Sequence, residues 1–414
     1  MLRAICIALA CGLAAAANAR AAEISISCSA VGLELRLCRE GAERWARATG
    51  NTVRLVSTPN SASERLALYQ QLLAARSPDI DVLQIDVVWP GILARHLLDL
   101  RPYAGGRPAQ NFASIIANDT VRGRLVAMPW FADVGLLYYR KDLLAKHGVA
   151  VPRTWPALAA AARRIQNGER AAGKARMWGY VWQGRAYEGL TCDALEWVAS
   201  QGGGHIVEPD GRISIDNPRA ARAIGAAARW VGTLSPRGVL NYAEEEARGV
   251  FQSGNAVFMR NWPYAWALVE SAGSPVRGRV GVALLPRGIG TLGGAQLAVS
   301  RYSSHPRLAA SLVMALTSRA EQKRRALAGS FNPTLPALYR DPEIRKVNPY
   351  YGLMARALAH AAARPAAVTG TRYNRVSSAF ANAVHAVLAG QADAPTALRS
   401  LEGQLMRISR GGRW

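Results

Sequence analysis

Three carboxylates and two aromatic residues, drawn from separate segments, are the side chains best suited to hold a polar ligand. Glu34 stands in Gly32-Leu33-Glu34, after the first strand-like stretch. Asp86 closes DIDVLQID (79–86), and Asp133 follows the strand-like LVAMPWF. Trp262 and Tyr264 flank Pro263 in FMRNWPYAW (258–266), a run that breaks regular helical spacing. A carboxylate accepts strong, often bidentate hydrogen bonds, and a flat ring offers an apolar face. A sugar needs both, for its hydroxyls and for its C–H faces. Each carboxylate alone has a simpler reading: Glu34 favours a helix N-terminus, and Asp86 caps the turn at Trp89-Pro90. Their shared placement at one sheet edge points instead to a polar cleft. Trp262 is expected to face it, because Arg260, Asn261 and Pro263 make a poor core environment. Trp266 is expected to pack behind.

No catalytic device accompanies these residues. GxSxG and GxxxxGK[ST] are missing, and no GxGxxG joins a strand to a helix. The six histidines are scattered, with no HExxH or CxxC partner, so neither a metal nor another cofactor is expected. Carboxylate pairs do hydrolyse glycosides, which keeps a secreted glycosidase as the enzymatic alternative to a binding protein.

The elements that must position these residues begin with alternating strands and helices. EISISCSAVG (23–32), NTVRLVST (51–58) and DIDVLQID read as strands. Helices are expected over 33–50, with Gly50 as its stop, and over 63–76 after a serine cap. This β-α-β-α-β order predicts an open parallel sheet covered by helices, whose ligand lies beyond the strand C-termini. A second region starts near 134. It has strands near 177–183, 279–286 and 292–300, and helices over 154–167, 190–202 and 217–232. Further helices are expected over 305–318, 319–328, 342–362, 374–389 and 393–410. No long linker separates the regions. Crossovers are expected near 133–138, 284–290 and 328–334, making each lobe discontinuous.

The 414-residue chain is half hydrophobic and can bury large cores. MLRAICIALACGLAAAANARA (1–21) has the form of a cleavable secretory leader. Lipid attachment at Cys11 ranks below cleavage, because Ala8 replaces the usual large aliphatic residue. No later segment has 18 uncharged apolar residues, so a soluble periplasmic protein is expected. Cys28, Cys38 and Cys192 follow the leader; one disulfide is permitted and one thiol is left over. The net charge of +23 comes from 51 basic and 28 acidic residues. These are spread along the chain; the densest run is Lys323-Arg324-Arg325. A nucleic-acid or adhesive surface should concentrate its charge, so no nucleic-acid partner is expected.

Several stretches together are similar to the extracellular solute-binding proteins of ABC sugar importers, in the trehalose/maltose branch. They include the run from ISCSAVGLELRLCREG to VLQIDVVWPGILA, then FADVGLLYYRKDLL, WGYVWQGRAYEGLTCDALEWVAS, NYAEEEARGVFQSGNAVFMRNWPYAW, LGGAQLAVS and ARPAAVTGTRYNRVSSAF. The resemblance covers essentially the whole chain after the leader. It implies an α/β fold of two lobes, the type II periplasmic-binding architecture: two open mixed sheets flanked by helices and three hinge crossovers. It assigns 22–133 with 284–330 to the N-terminal lobe and 134–283 with 331–414 to the C-terminal lobe. It implies a monomer that closes on an α-glucoside disaccharide of the trehalose, maltose or sucrose type. The closed form would dock on ABC permease subunits driven by a separate ATPase.

Residue by residue, Glu34, Asp86 and Asp133 resemble the family's acceptors of sugar hydroxyls. Asn60 and Ser61 fall at a small polar contact, and Phe131 on an aromatic position that is often tyrosine. Trp262 and Tyr264 resemble the stacking platform, and Arg364 an arginine reaching hydroxyls and acidic partners. Gln183, Tyr187 and Glu188 fall on a cleft loop. The family's GGWQ reads Gly293-Gly294-Ala295-Gln296 here, so the opposing tryptophan is replaced by Ala295. That departure keeps open a different or larger ligand, and the positive net charge an anionic one.

Overall fold

The computed structural model describes residues 21–414. The expected leader, apart from Ala21, lies outside the described residues together with Cys11. In chain order the strands are β1 (Glu23–Ser27), β2 (Thr52–Val56), β3 (Val82–Asp86), β4 (Thr120–Val121) and β5 (Arg124–Leu125). They continue with β6 (Met128–Val134), β7 (Leu136–Arg140), β8 (Trp178–Val181), β9 (Ala256–Asn261), β10 (Val280–Leu284) and β11 (Leu292–Val299).

Two mixed sheets form, as the resemblance implies; the parallel sheet expected from the β-α-β-α-β order is made mixed by β11, which joins it antiparallel. The first runs β2-β1-β3-β11-β6, and the second β10-β7-β9-β8. β1 lies parallel to β2 and β3, whereas β11 runs antiparallel to β3 and β6. β4 and β5 make a separate hairpin. In the first sheet Ile24, Ile26 and Val82 are buried with Leu37 and Trp45 of the helix Glu34–Thr49. That helix ends at Gly50 with a left-handed φ of 68°, as its glycine stop signals. The second lobe packs around the helix Glu188–Ser200, whose Trp197 meets Trp182 and Trp230 edge-on at 5.0 and 5.8 Å.

Two local expectations fail. The helix expected over 342–362 is two helices, Pro342–Val347 and Tyr351–Ala359. Asn348 interrupts it by sending Nδ2 to the carbonyl of Ala326 at 3.0 Å. Asp133 does not follow a strand but lies inside β6, which runs on to Val134. The basic run 323–325 is also no free surface. Lys323 pairs with Asp341 and Glu343, Arg324 pairs with Glu40 and Glu321, and Arg325 is buried.

Cys28 and Cys38 form a disulfide with Cα atoms 6.5 Å apart, and Cys192 is a buried free thiol.

The chain passes between the sheets from β6 to β7 and from β10 to β11. These two crossings lie side by side: the Gly135 N–H donates to the carbonyl of Thr291 at 3.2 Å. A Cβ on Gly290 would sit 2.4 Å from the Gly135 carbonyl oxygen. Gly290→Ala is therefore expected to cost about 1–3 kcal/mol through overpacking of backbone. Gly249→Ala, in the helix Glu244–Gln252 with nothing near its Cβ, should be neutral or stabilising. Chemical denaturation of the two variants checks the contrast.

Candidate functional site

Between the sheets lies a cavity of about 110 Å³. β3 delivers Asp86 to it, β6 delivers Phe131 and Asp133, and β11 delivers Gly293, Gly294 and Ala295. Glu34 reaches it from the first helical residue after β1. Asn60 enters from the loop after β2. From the other side come Tyr187, Glu188, Trp262, Tyr264 and Arg364. Twelve of the fourteen expected residues thus converge on one cavity, whereas Ser61 and Gln183 do not line it. Ser61 caps the helix Ala62–Ala74 by accepting from the Glu64 N–H. Gln183 is fully buried and accepts from Arg260 Nη1 at 3.0 Å through Oε1.

Arg260 corrects the reasoning about its neighbourhood. Arg260 and Asn261 are both fully buried, so this segment is core. The guanidinium pairs with Asp193 at 2.8 Å and Glu196 at 2.5 Å. It lies 3.9 Å from the centre of a Trp262 ring, a cation–π contact that fixes the indole from one side. Trp262 Nε1 donates to Glu244 Oε1 at 3.4 Å. The indole edge rests on β11, where a Cβ on Gly293 would lie 2.9 Å from it. Trp262 remains half-buried and at the cavity, as expected, but Arg260 holds it there. Trp266 is also half-buried; its Nε1 donates to the Val347 carbonyl at 3.0 Å, and its ring meets Tyr350 edge-on.

Arg364 joins the two walls. Nη2 donates to Asp86 Oδ1 at 2.8 Å, and Nη1 to Glu188 Oε1 at 2.7 Å. Glu188 also accepts from Tyr373 and from Ser377 Oγ, and its N–H donates to Ser63 Oγ at 3.2 Å. Arg185 and Glu64 form a second pair across the cleft mouth.

The lining holds five carboxylates, Glu34, Asp86, Asp133, Glu188 and Glu244, against two guanidiniums, Arg65 and Arg364. The cleft is acidic within a basic protein. Burial pushes the Glu34 carboxyl up from its ordinary value, opposed by Arg325. Glu34 Oε1 accepts from Gln84 Nε2 at 2.7 Å. Burial, reinforced by the charge of Glu34, pushes Asp133 up to about 8. Its Oδ1 is buried with no hydrogen-bond partner among the described residues. Near neutral pH Asp133 can both donate and accept a hydrogen bond.

Sequence reasoning missed Gln84, Arg65, Glu244 and Phe331. Gln84 precedes Asp86 by two positions, so strand alternation puts both on one face; that signal was available. Phe331 reaches the cavity from after the helix Arg319–Gly329 and meets Phe131 at 5.1 Å. No local pattern marks it or Glu244. Arg325 stacks behind this wall, 3.7 Å from a Trp130 ring centre.

The raised Asp133 pKa has a stability consequence. Between about pH 4 and 8 the folded state keeps a proton that the unfolded state releases, so this group's contribution to stability falls as pH rises. Asp133→Asn removes the titration. Its thermal midpoint relative to wild type is expected to be lowest near pH 4 and to climb until about pH 8, as measured by calorimetric scans across that range.

Residues 39–323 match the family model for the bacterial extracellular solute-binding protein. A probable ABC transporter-binding protein of Deinococcus radiodurans is 50% identical over 406 residues, covering 96% of each chain. The maltose-bound MalE3 of T. maritima is 38% identical, with a TM-score of 0.89 over 94% of this chain and 100% of that one. A solute-binding protein from Agrobacterium vitis with bound D-mannitol has the same fold at 20% identity, with a TM-score of 0.82 over 95% and 99%. With two mixed sheets joined by paired crossings and a polar cleft between them, the chain belongs to the bacterial extracellular solute-binding proteins, of type II periplasmic-binding fold.

Proposed function

We propose that this protein is the periplasmic sugar-binding component of an ABC importer. It captures an α-glucoside disaccharide of the maltose, trehalose or sucrose type and delivers it to the permease as a monomer. The arrangement that carries this reading is an acid-lined first wall facing the Trp262–Tyr264 platform. Glu34, Asp86 and Asp133 take sugar hydroxyls, while the indole held by Arg260 packs a C–H face. Phe131 and Phe331 supply apolar surface where Ala295 offers only a methyl group. Arg364 closes the ring between the walls. The lobes, 22–133 with 284–330 and 134–283 with 331–414, part at the crossings to admit ligand. Ligand that bridges both lobes favours the closed state. The leader 1–21 sends the chain to the periplasm.

The maltose-bound neighbour at 38% identity supports the disaccharide class. The cavity volume favours a second reading. About 110 Å³ is well below the roughly 300–1,000 Å³ usual for small-molecule sites, so a disaccharide needs the lobes further apart than here. A single-ring sugar or a polyol fits with less opening. Even with Asp133 protonated, the four other carboxyls of the lining against two guanidiniums disfavour a sugar acid, despite the chain's overall charge. The internal pairing of residues 323–325 likewise disfavours a nucleic-acid partner.

Calorimetry against maltose, trehalose, sucrose, glucose, mannitol and glucuronate separates these readings. The expected result is binding of at least one of the three disaccharides and none of glucuronate. Binding of mannitol or glucose alone would select the second reading, and no binding at all would overturn both. Trp262→Ala should lose about 1 kcal/mol or more of sugar affinity. Turnover of a chromogenic α-glucoside, lost in Asp133→Asn, would make the protein a glycosidase instead.

A further inference from the structure

The sugar reading leaves the Cys28–Cys38 disulfide without a role. The bond joins the end of β1 to the second turn of the helix Glu34–Thr49, enclosing the segment 29–37. Two kinds of contact meet in that segment.

The first kind belongs to the ligand wall. Ser29 N–H donates to Gln84 Oε1 at 2.7 Å, and Gln84 Nε2 donates to Glu34 Oε1 at 2.7 Å. Val31 N–H donates to Ser29 Oγ at 3.2 Å, and Glu34 N–H to the Val31 carbonyl at 3.1 Å. The loop backbone and the Glu34 carboxylate are thus ordered through one glutamine of β3.

The second kind comes from the opposite wall. Tyr264 lies against Gly32 so closely that a Cβ there would sit 2.5 Å from Tyr264 Cδ2, with Leu268 Cδ1 at 3.4 Å. The Tyr264 hydroxyl donates to Glu245 Oε1 at 2.6 Å, which anchors the ring to its own lobe. Gly32 has a left-handed φ of 57°, so the ledge depends on the shape of this one turn.

We propose that the Cys28–Cys38 disulfide is a positioning device for closure: it holds the 29–37 loop as a rigid ledge that presents Glu34 to the ligand and receives Tyr264. Both cysteines are buried, at 2% and 0% exposure, so the tie is built into the lobe rather than draped over it. Cutting it leaves β1 and the helix in place through their own packing but frees the turn between them. A loose ledge misplaces the carboxylate and the landing point of the aromatic platform together. Recognition sites tolerate little such displacement.

The proposal rests on the sugar reading for its ligand, but its test has an arm that needs none. In the ligand-free protein, Cys28→Ser with Cys38→Ser is expected to speed amide exchange across 29–37 and across 262–268 of the opposite lobe. The helix Tyr373–Leu388 serves as the unaffected reference. In the second arm the same double variant is expected to bind maltose at least tenfold more weakly, chiefly through faster dissociation. Gly32→Ala, with the disulfide intact, should reproduce that loss by blocking Tyr264. Unchanged exchange at 262–268 in the double variant would overturn the coupling. So would wild-type maltose affinity and dissociation in both variants. If wild type itself fails to bind maltose, the ligand assignment falls, and the exchange arm still decides the role of the disulfide.

Discussion

A carboxylate that is to grip a neutral hydroxyl must first be stripped of water, and a dry carboxylate resists ionisation. Much of this cleft follows from that conflict. Burial raises the carboxyls of both Glu34 and Asp133, and the charge of Glu34 adds to the shift of Asp133, in a wall too dry to screen it. The charge is offset both from behind the wall and at the wall itself. Arg325 lies beneath Glu34 at 4.0 Å, stacked on aromatic rings. Arg364 takes Asp86 and Glu188 together. The cations are thus spent on orienting acceptors, and the space between the walls stays acidic.

The same economy shapes the aromatic wall. Trp262 is held by a guanidinium whose charge is itself matched by Asp193 and Glu196. A buried ion group of this kind contributes little net stability, yet it fixes a ring that would otherwise choose among rotamers. Gln183 belongs to this group.

How much of this was readable depends on where each constraint acts. Asp86 was legible because the β-α-β order fixes which strand ends share an edge. Glu34 was legible because a glycine turn follows the first strand. Asp133 was found but misplaced, since nothing in MPWFADV marks where the strand stops. Trp262 was placed at the cavity from a wrong premise: Arg260 and Asn261 look exposed in sequence but are both buried, and the partners that bury Arg260 lie 64 and 77 residues away. Phe331 and Glu244 were missed for the same reason. Their neighbours at the cleft are distant in sequence, and single-chain periodicity carries no trace of them. Asn348 broke an expected helix because its side chain found a carbonyl 22 residues back.

The cysteine arrangement also bears on the order of events during synthesis. Cys28 and Cys38 lie 10 residues apart, whereas Cys192 is made 154 positions after Cys38 (192 − 38). At roughly 5–20 residues per second, Cys192 is made about 8–30 seconds after Cys38. The pairing of Cys28 with Cys38 is local, whereas Cys192 ends as a buried free thiol on the helix Glu188–Ser200, at the lining of the cavity. Of the three cysteines that follow the expected leader, the two nearest in sequence form the bridge, and it is the one that shapes the ledge.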